Sequence, residues 1–224
     1  MTYGSETLKT KDVTALIPIK ARHLCKTRLS LCLTEQQRRT LVRDMLQQVL
    51  QVLQQVPAIM RIVVLTPERD HIAESIELLP DEGKDLNSSL THAVVTLRQG
   101  GCGRLLILPA DLPRLSVKDL NAILAADTLA IAASEDELGT NGLYLPNNLP
   151  FSFAFGDNSF QLHRQQAEHL QVPYRLVRSP GLAFDVDTPA DYARYQSASA
   201  HTSTDADTIC SAYLGADPIC VCNH

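Results

Sequence analysis

The sequence predicts an α/β fold with a mostly parallel central sheet flanked by helices. Two observations carry this expectation. Short apolar runs alternate with longer amphipathic stretches along most of the chain, the spacing that parallel strands and crossover helices require. The 224 residues, 45% hydrophobic and 20% charged, suit one domain able to bury a core without disulfide or metal staples.

The elements follow in order. Val13 to Ile19 is a short apolar run, expected as a buried strand that Pro18 ends early. Thr34 and Gln37 form a capping-box pair that opens a long helix. Leu41, Val42, Met45, Leu46, Val49, Leu50, Leu53 and Val56 recur on its apolar face, and Pro57 stops it. Ile62 to Thr66 is a second strand, and His71 to Leu79 is expected to be a helix. Asn87 to Arg98 is a further helix, capped by Asn87 or Ser88. A glycine turn leads into a third strand, Arg104 to Pro109, and Ser116 caps a helix running to about Ala126. Thr128 to Ser134 and Gly142 to Leu145 are strands, Ser159 to Leu170 a helix, and Tyr174 to Val177 a strand. Thr188-Pro189-Ala190-Asp191 has the cap, first-turn proline and following acid of a last helix, ending near Gln196. Residues 13–196 are therefore expected as the folded domain. Residues 197–224, dominated by Ser, Ala, Thr and Asp, are expected as a flexible or loosely docked tail.

Composition excludes several functions. A net charge of −5 argues against a general nucleic-acid binder. No apolar run approaches the ~20 residues needed to span a bilayer, and Met1 to Asp12 has no apolar leader core. A cytoplasmic protein with reduced thiols is expected. Of the six cysteines, Cys210, Cys220 and Cys222 lie near His224 with a spacing that matches no zinc pattern.

Charge is nevertheless gathered locally. Between Asp12 and Glu35 there is no acid, but Lys20, Arg22, Lys26 and Arg28 are present, with His23 and Cys25 among them. This is either a solvated basic loop or a clamp for an anion. Neither the Walker A nor the dinucleotide glycine pattern is present. In an open α/β sheet, ligands sit outside the carboxyl ends of the strands. Three polar segments fall there: Lys20 to Arg28, Ala110 to Pro113, and Asp185 to Thr188. Asp111, just past a strand, is either a turn aspartate or a Mg²⁺ ligand. Asp185 and Asp187 lie two apart, so an extended chain points both the same way. At ~4 Å and an effective dielectric of ~20, two like charges cost about 4 kcal/mol, which a divalent cation would convert into binding. The alternative is a solvated Asp185 beside an Asp187 that helps cap the next helix. Cations at one strand end and carboxylates at two others are what phosphoryl or nucleotidyl transfer requires. An acceptor that is itself a phosphate is already ionised and needs no general base. This agrees with the lack of a Ser-His-Asp or Cys-His pattern.

Six segments, taken in order, resemble the 2-phospho-L-lactate guanylyltransferase (CofC-type) family of coenzyme F-420 biosynthesis, whose members also use phosphoenolpyruvate or 3-phosphoglycerate. They are Leu16-Ile-Pro-Ile-Lys20 with Lys26-Thr-Arg-Leu29, Asp85-Leu-Asn-Ser-Ser-Leu90, Leu108-Pro-Ala-Asp-Leu-Pro113, Gly139-Thr-Asn141, Phe155-Gly-Asp-Asn-Ser159 and Asp185-Val-Asp-Thr-Pro189. The resemblance implies a single-domain nucleotidyltransferase fold, glycosyltransferase-A-like and Rossmann-like. It implies transfer of GMP from GTP to a phosphorylated carboxylic acid with release of pyrophosphate, preferably to phosphoenolpyruvate or 3-phosphoglycerate. Carried over by position, Lys20 and Lys26 would touch the GTP phosphates, and with Asp111 would form the catalytic set. Arg28, Asn87, Pro109 and Ala110 would complete the nucleotide site. Thr140, Asn141, Gly156 and Ser159 would hold the acceptor. Asp111, Asp185 and Asp187 would hold Mg²⁺. The partners implied are GTP and a small phosphoacid, with a homodimer as the favoured assembly. One departure is Asp85, where the family usually has glycine; Gly83 lies two residues earlier. Two other readings stay open: a molybdenum-cofactor or sugar-phosphate nucleotidyltransferase, which usually opens on G-G-x-S-x-R, and a non-catalytic nucleotide-binding module.

Overall fold

The computed structural model describes residues 12–19, 26–67, 72–81, 83–146 and 149–198. Lys20, Arg22, His23, Cys25 and the tail from residue 199, with its cysteines and His224, lie outside the described residues.

Seven strands form one sheet: β1 (Val13–Pro18), β2 (Ile59–Leu65), β3 (Glu77–Leu79), β4 (Arg104–Ile107), β5 (Leu129–Ala133), β6 (Thr140–Leu145) and β7 (Tyr174–Val177), in the spatial order β3-β2-β1-β4-β6-β5-β7. The pairs β1–β2, β1–β4, β2–β3 and β5–β7 are parallel. Only β6 runs against its neighbours, pairing β4 and β5 antiparallel. A connection of six residues, 134–139, separates β5 from β6, too short for the crossover that a parallel pair needs. The reversal has a functional result. The first residues of β6, Thr140 and Asn141, arrive at the rim where β1 and β4 end.

The helices α1 (Glu35–Gln54), α2 (Leu86–Gln99), α3 (Val117–Leu124), α4 (Ser159–His169) and α5 (Pro180–Ala183) are followed by a sixth, α6, over residues 189–198. Alternate strand residues go to opposite faces. Ala15 and Ile17 pack with Val49 and Leu53 of α1 and Leu120 and Ile123 of α3. Leu16, Val63 and Ile107 pack with Leu90 and Leu97 of α2 and Phe160 of α4. Most of these side chains are fully buried, each stabilising the fold by about 1.5–3 kcal/mol relative to exposure.

The capping boxes form as expected at Thr34–Gln37 and also join Ser116 to Asp119. Two expectations are corrected. The helix over His71 to Leu79 is absent from the described part of that segment, residues 72–79; Glu77–Leu79 is instead a parallel edge strand on β2. Its Ile72, Ile76 and Leu79 spacing suits a helix, but pairing with an open sheet edge overrides so short a local preference. The cap of α2 is Asp85, not Asn87 or Ser88. Its carboxylate accepts from the Ser88 N–H at 2.9 Å, and the Ser88 hydroxyl accepts from the Asp85 N–H at 3.1 Å. The Asp85 side chain is thus committed to the helix end. Gly83 supplies room rather than rotation, because a Cβ there would lie 2.3 Å from the Ser89 backbone nitrogen.

Candidate active site

A third, smaller cluster positions the site. Leu29 and Leu33, from the 3₁₀ turn Thr27–Leu31 and its exit, pack with Leu41 and Met45 of α1 and with Phe184 and Val186. Phe184 and Val186 are buried at 3% and 0% exposure, so the alternate residues Asp185 and Asp187 turn the other way, together, as the extended-chain argument expects. The backbone of this segment is pinned at Val186, whose N–H donates to the Asp111 carbonyl at 3.3 Å. It is pinned again where Asp191 of α6 accepts from the N–H groups of Asp187 and Thr188 at 3.3 and 2.9 Å. Asp187 therefore does not cap α6; Thr188 and Asp191 do.

Three carboxylates converge. One oxygen from each of Asp111, Asp185 and Asp187 lies within 4.8 Å of the other two. Burial, with Asp111 close by, pushes the Asp185 carboxyl up to about 6, against a hydrogen bond from Asn141 that pulls it down. The Asn141 amide donates to Asp185 at 3.0 Å and to the Ala183 carbonyl at 3.3 Å. Asp111 Oδ1 is buried with no hydrogen-bond partner among the described residues. Its other oxygen accepts from Lys26, which also pairs with Asp187 at 2.6 Å. The Lys26 ammonium is nearly enclosed, at 8% side-chain exposure. Burial alone would lower its affinity for a proton, but the charges of Asp111 and Asp187 outweigh that and raise it well above the ordinary lysine value. Arg28 is exposed and reaches Asp187 only at 3.9 Å.

This acidic corner opens on a cavity of about 330 Å³. Lys26, Pro109, Ala110, Asp111, Thr140 and Asp187 all line it, as does Phe155. Asn87 approaches through a two-point bond to the Phe155 backbone: its amide donates to the carbonyl at 3.0 Å and its oxygen accepts from the N–H at 2.7 Å. Gly156 follows at φ +124°, a conformation that a side chain would strain. Ser159, buried at the start of α4, accepts from the Thr140 N–H at 2.8 Å. The sequence reading missed His163, which lies 2.9 Å from the Thr140 hydroxyl. One signal could have found it: His163 is four residues after Ser159, on the same face of α4.

The donor set is all oxygen, suited to a hard divalent cation. The unpartnered Asp111 oxygen and the crowding of three carboxylates fit such an ion, and Asp111, Asp185 and Asp187 are the residues that could hold it.

The fold is one found in solved proteins of low sequence identity. The protein shares its fold with 4-diphosphocytidyl-2C-methyl-D-erythritol synthase of Anaerococcus prevotii DSM 20548, at a TM-score of 0.55 and 13% identity over 81% of this chain and 95% of that one. It shares it also with CMP:2-keto-3-deoxy-manno-octonic acid synthetase, at a TM-score of 0.53 and 12% identity over 85% of this chain and 99% of the other. Residues 13–201 match the family described as guanylyl transferase CofC like, and the chain belongs to that family. Its relatives include the phosphoenolpyruvate guanylyltransferase of Chloroflexus aurantiacus (strain ATCC 29364 / DSM 637 / Y-400-fl), 35% identical over 77% of this chain and 88% of that one. The phosphoenolpyruvate guanylyltransferase of Rubrobacter xylanophilus (strain DSM 9941 / JCM 11954 / NBRC 16129 / PRD-1) is also 35% identical, over 83% and 94%. The protein is thus an enzyme, a guanylyltransferase by family. Among the described residues no helix is long and apolar enough to cross a membrane.

Proposed function

We propose that the protein transfers GMP from GTP to phosphoenolpyruvate, or a closely similar phosphorylated carboxylic acid, and releases pyrophosphate, as a step of coenzyme F-420 assembly. The observation that carries this is one cavity lined by the buried Lys26, by Asp111 and Asp187 and by Thr140, with Asp185 completing the carboxylate triad beside it. The relatives named above supply the acceptor. Mg²⁺ held by Asp111, Asp185 and Asp187 would draw negative charge from the phosphates.

The chain's own groups do the rest. Lys26 brings a permanent positive charge to the polyphosphate, with Lys20 and Arg28 adding theirs from the same loop. Asn87, through Phe155, fixes the wall on which the nucleoside lies, and Pro109 and Ala110 form its floor. Thr140, Gly156 and Ser159 receive the acceptor's carboxylate or phosphate, and Asn141 holds the Asp185 carboxylate in its place beside them. The attacking phosphate is already ionised, so no side chain has to remove a proton, and binding the two substrates in line adds to the electrostatic rate gain. Residues 13–196 form the catalytic domain in this reading.

The test is incubation with GTP, Mg²⁺ and, in turn, phosphoenolpyruvate, 3-phosphoglycerate and 2-phospho-L-lactate, with pyrophosphate measured. Phosphoenolpyruvate is expected to give the highest kcat/KM. Absence of pyrophosphate with every acceptor, from a protein that still binds GTP, would leave a nucleotide-binding module instead.

A further inference from the structure

Thr140 and His163 share a hydrogen bond whose direction decides what Thr140 can offer a ligand. His163 is fully buried on α4, with the ring of Phe155 edge-on at 4.8 Å and that of Phe151 at 5.7 Å. Its Nε2 lies 3.1 Å from the Ala154 backbone nitrogen. A backbone N–H can only donate, so Nε2 must accept and carry no proton. The imidazole proton of the neutral ring then sits on Nδ1, 2.9 Å from the Thr140 hydroxyl oxygen. Burial holds the ring neutral, with its pKa lowered to about 4.

We propose that His163 is a positioning residue that commits the Thr140 hydroxyl to donate into the cavity, towards the anionic group of the acceptor; this rests on the acceptor-binding reading given above. His163 Nδ1–H takes a lone pair of the Thr140 oxygen, and the hydroxyl proton is left to point elsewhere. With the opposite tautomer Thr140 would spend its proton on Nδ1 and turn lone pairs towards a carboxylate or phosphate. Ser159 accepts from the Thr140 N–H at 2.8 Å, which fixes the backbone from which that hydroxyl projects. The Thr140 hydroxyl is thereby biased to donate, and this wall of the cavity selects a group that accepts hydrogen bonds over one that donates them.

The tautomer is read directly. In wild-type protein labelled with ¹⁵N at histidine, the His163 signals, identified by their loss in His163→Gln, should show a protonated Nδ1 and a bare Nε2. A protonated Nε2 overturns the proposal whatever the activity. Kinetics then tests the consequence. His163→Asn keeps a donor at the Nδ1 position and should leave the acceptor KM within about threefold of wild type. His163→Gln keeps an acceptor for Ala154 but no donor for Thr140, and should raise the acceptor KM about tenfold with the GTP KM unchanged. In a Thr140→Val background, His163→Gln should add nothing further, because the two side chains act as one unit. Equal acceptor KM values in wild type and His163→Gln, or additive effects with Thr140→Val, overturn the positioning role and leave the guanylyltransferase reading standing. Wild-type protein that forms no pyrophosphate with any phosphoacid refutes that reading instead, and the ¹⁵N spectrum still reports the tautomer.

Discussion

Asp111 and Asp187 line the same cavity as Thr140, with Asp185 and Ser159 beside them, yet the carboxylates and the hydroxyls are held by opposite means. The carboxylates are crowded within 4.8 Å, and a single lysine pairs with two of them. One carboxylate is pushed towards its neutral form, and one oxygen is buried without a partner. The hydroxyls are neutral, buried and bonded to groups that fix their orientation. The acidic end keeps an electrostatic penalty that an incoming cation would relieve, whereas the hydroxyl end is organised before any ligand comes. In the reaction proposed above, charge would stand where charge is exchanged, and fixed dipoles where a small anion is told from its near relatives.

Substitutions at each end should separate these behaviours. The largest effect is expected for Asp111→Asn: kcat should fall at least about 100-fold, a loss typical of removing a charge-stabilising group. Its melting temperature should stay near the wild-type value, because relieved repulsion offsets the lost Lys26 pair. A comparable fall in stability would make Asp111 a structural residue and erase the contrast.

Thr140→Val comes next. Acceptor KM should rise about tenfold, with a stability loss of about 1–3 kcal/mol from the stranded His163 donor, measured by denaturant unfolding. Here function and stability fall together, unlike at Asp111.

Lys26→Met should sharpen the view of the acidic end. Without the ammonium, the carboxylates lose their internal counter-ion, and millimolar Mg²⁺ should raise the melting temperature of the variant more than that of wild type. Each additional kcal/mol of metal stabilisation is about 2–4 °C for a chain of this size. An equal shift in both proteins would mean that Lys26 and the cation do not compete.

The smallest effect is a pH dependence. The Asp185 carboxyl rises from its ordinary 3.8 to about 6, so the folded protein holds this proton more tightly than the unfolded chain. The contribution of Asp185 to stability therefore falls as pH rises through that window and stays low above it. Asp185→Asn removes this term. Without divalent metal, the variant's stability relative to wild type should be greater at pH 7 than at pH 4.5; the reverse trend would contradict the burial argument.

Much of this was legible in the sequence for physical reasons. Strands such as Val13–Pro18 and Leu129–Ala133 are continuous apolar runs because both faces of the sheet are covered. The box at Thr34 and Gln37 and the Asp185/Asp187 alternation are local rules acting over two or three residues. The edge strand at Glu77–Leu79 was not legible, because its conformation is imposed by β2 and not by its own residues. Nor could the sequence reveal that Lys26 reaches Asp111 and Asp187, 85 and 161 positions away, or that Asn141 braces Asp185 from 44 positions away. Those contacts exist only once β6 has been reversed and the 184–187 segment laid over Leu29. Family motifs brought most of these residues to notice. His163 belongs to none of the motifs; only its helical spacing from Ser159 hinted at it, and the hydrogen-bond network shows its place.

The carboxamide of Asn87 fastens the first turn of α2 to the chain at Phe155, so that two pieces of the wall far apart in sequence move as one. A shift of the Phe155 backbone would therefore be shared with the helix terminus, whereas the ring can turn about its own bonds without disturbing either.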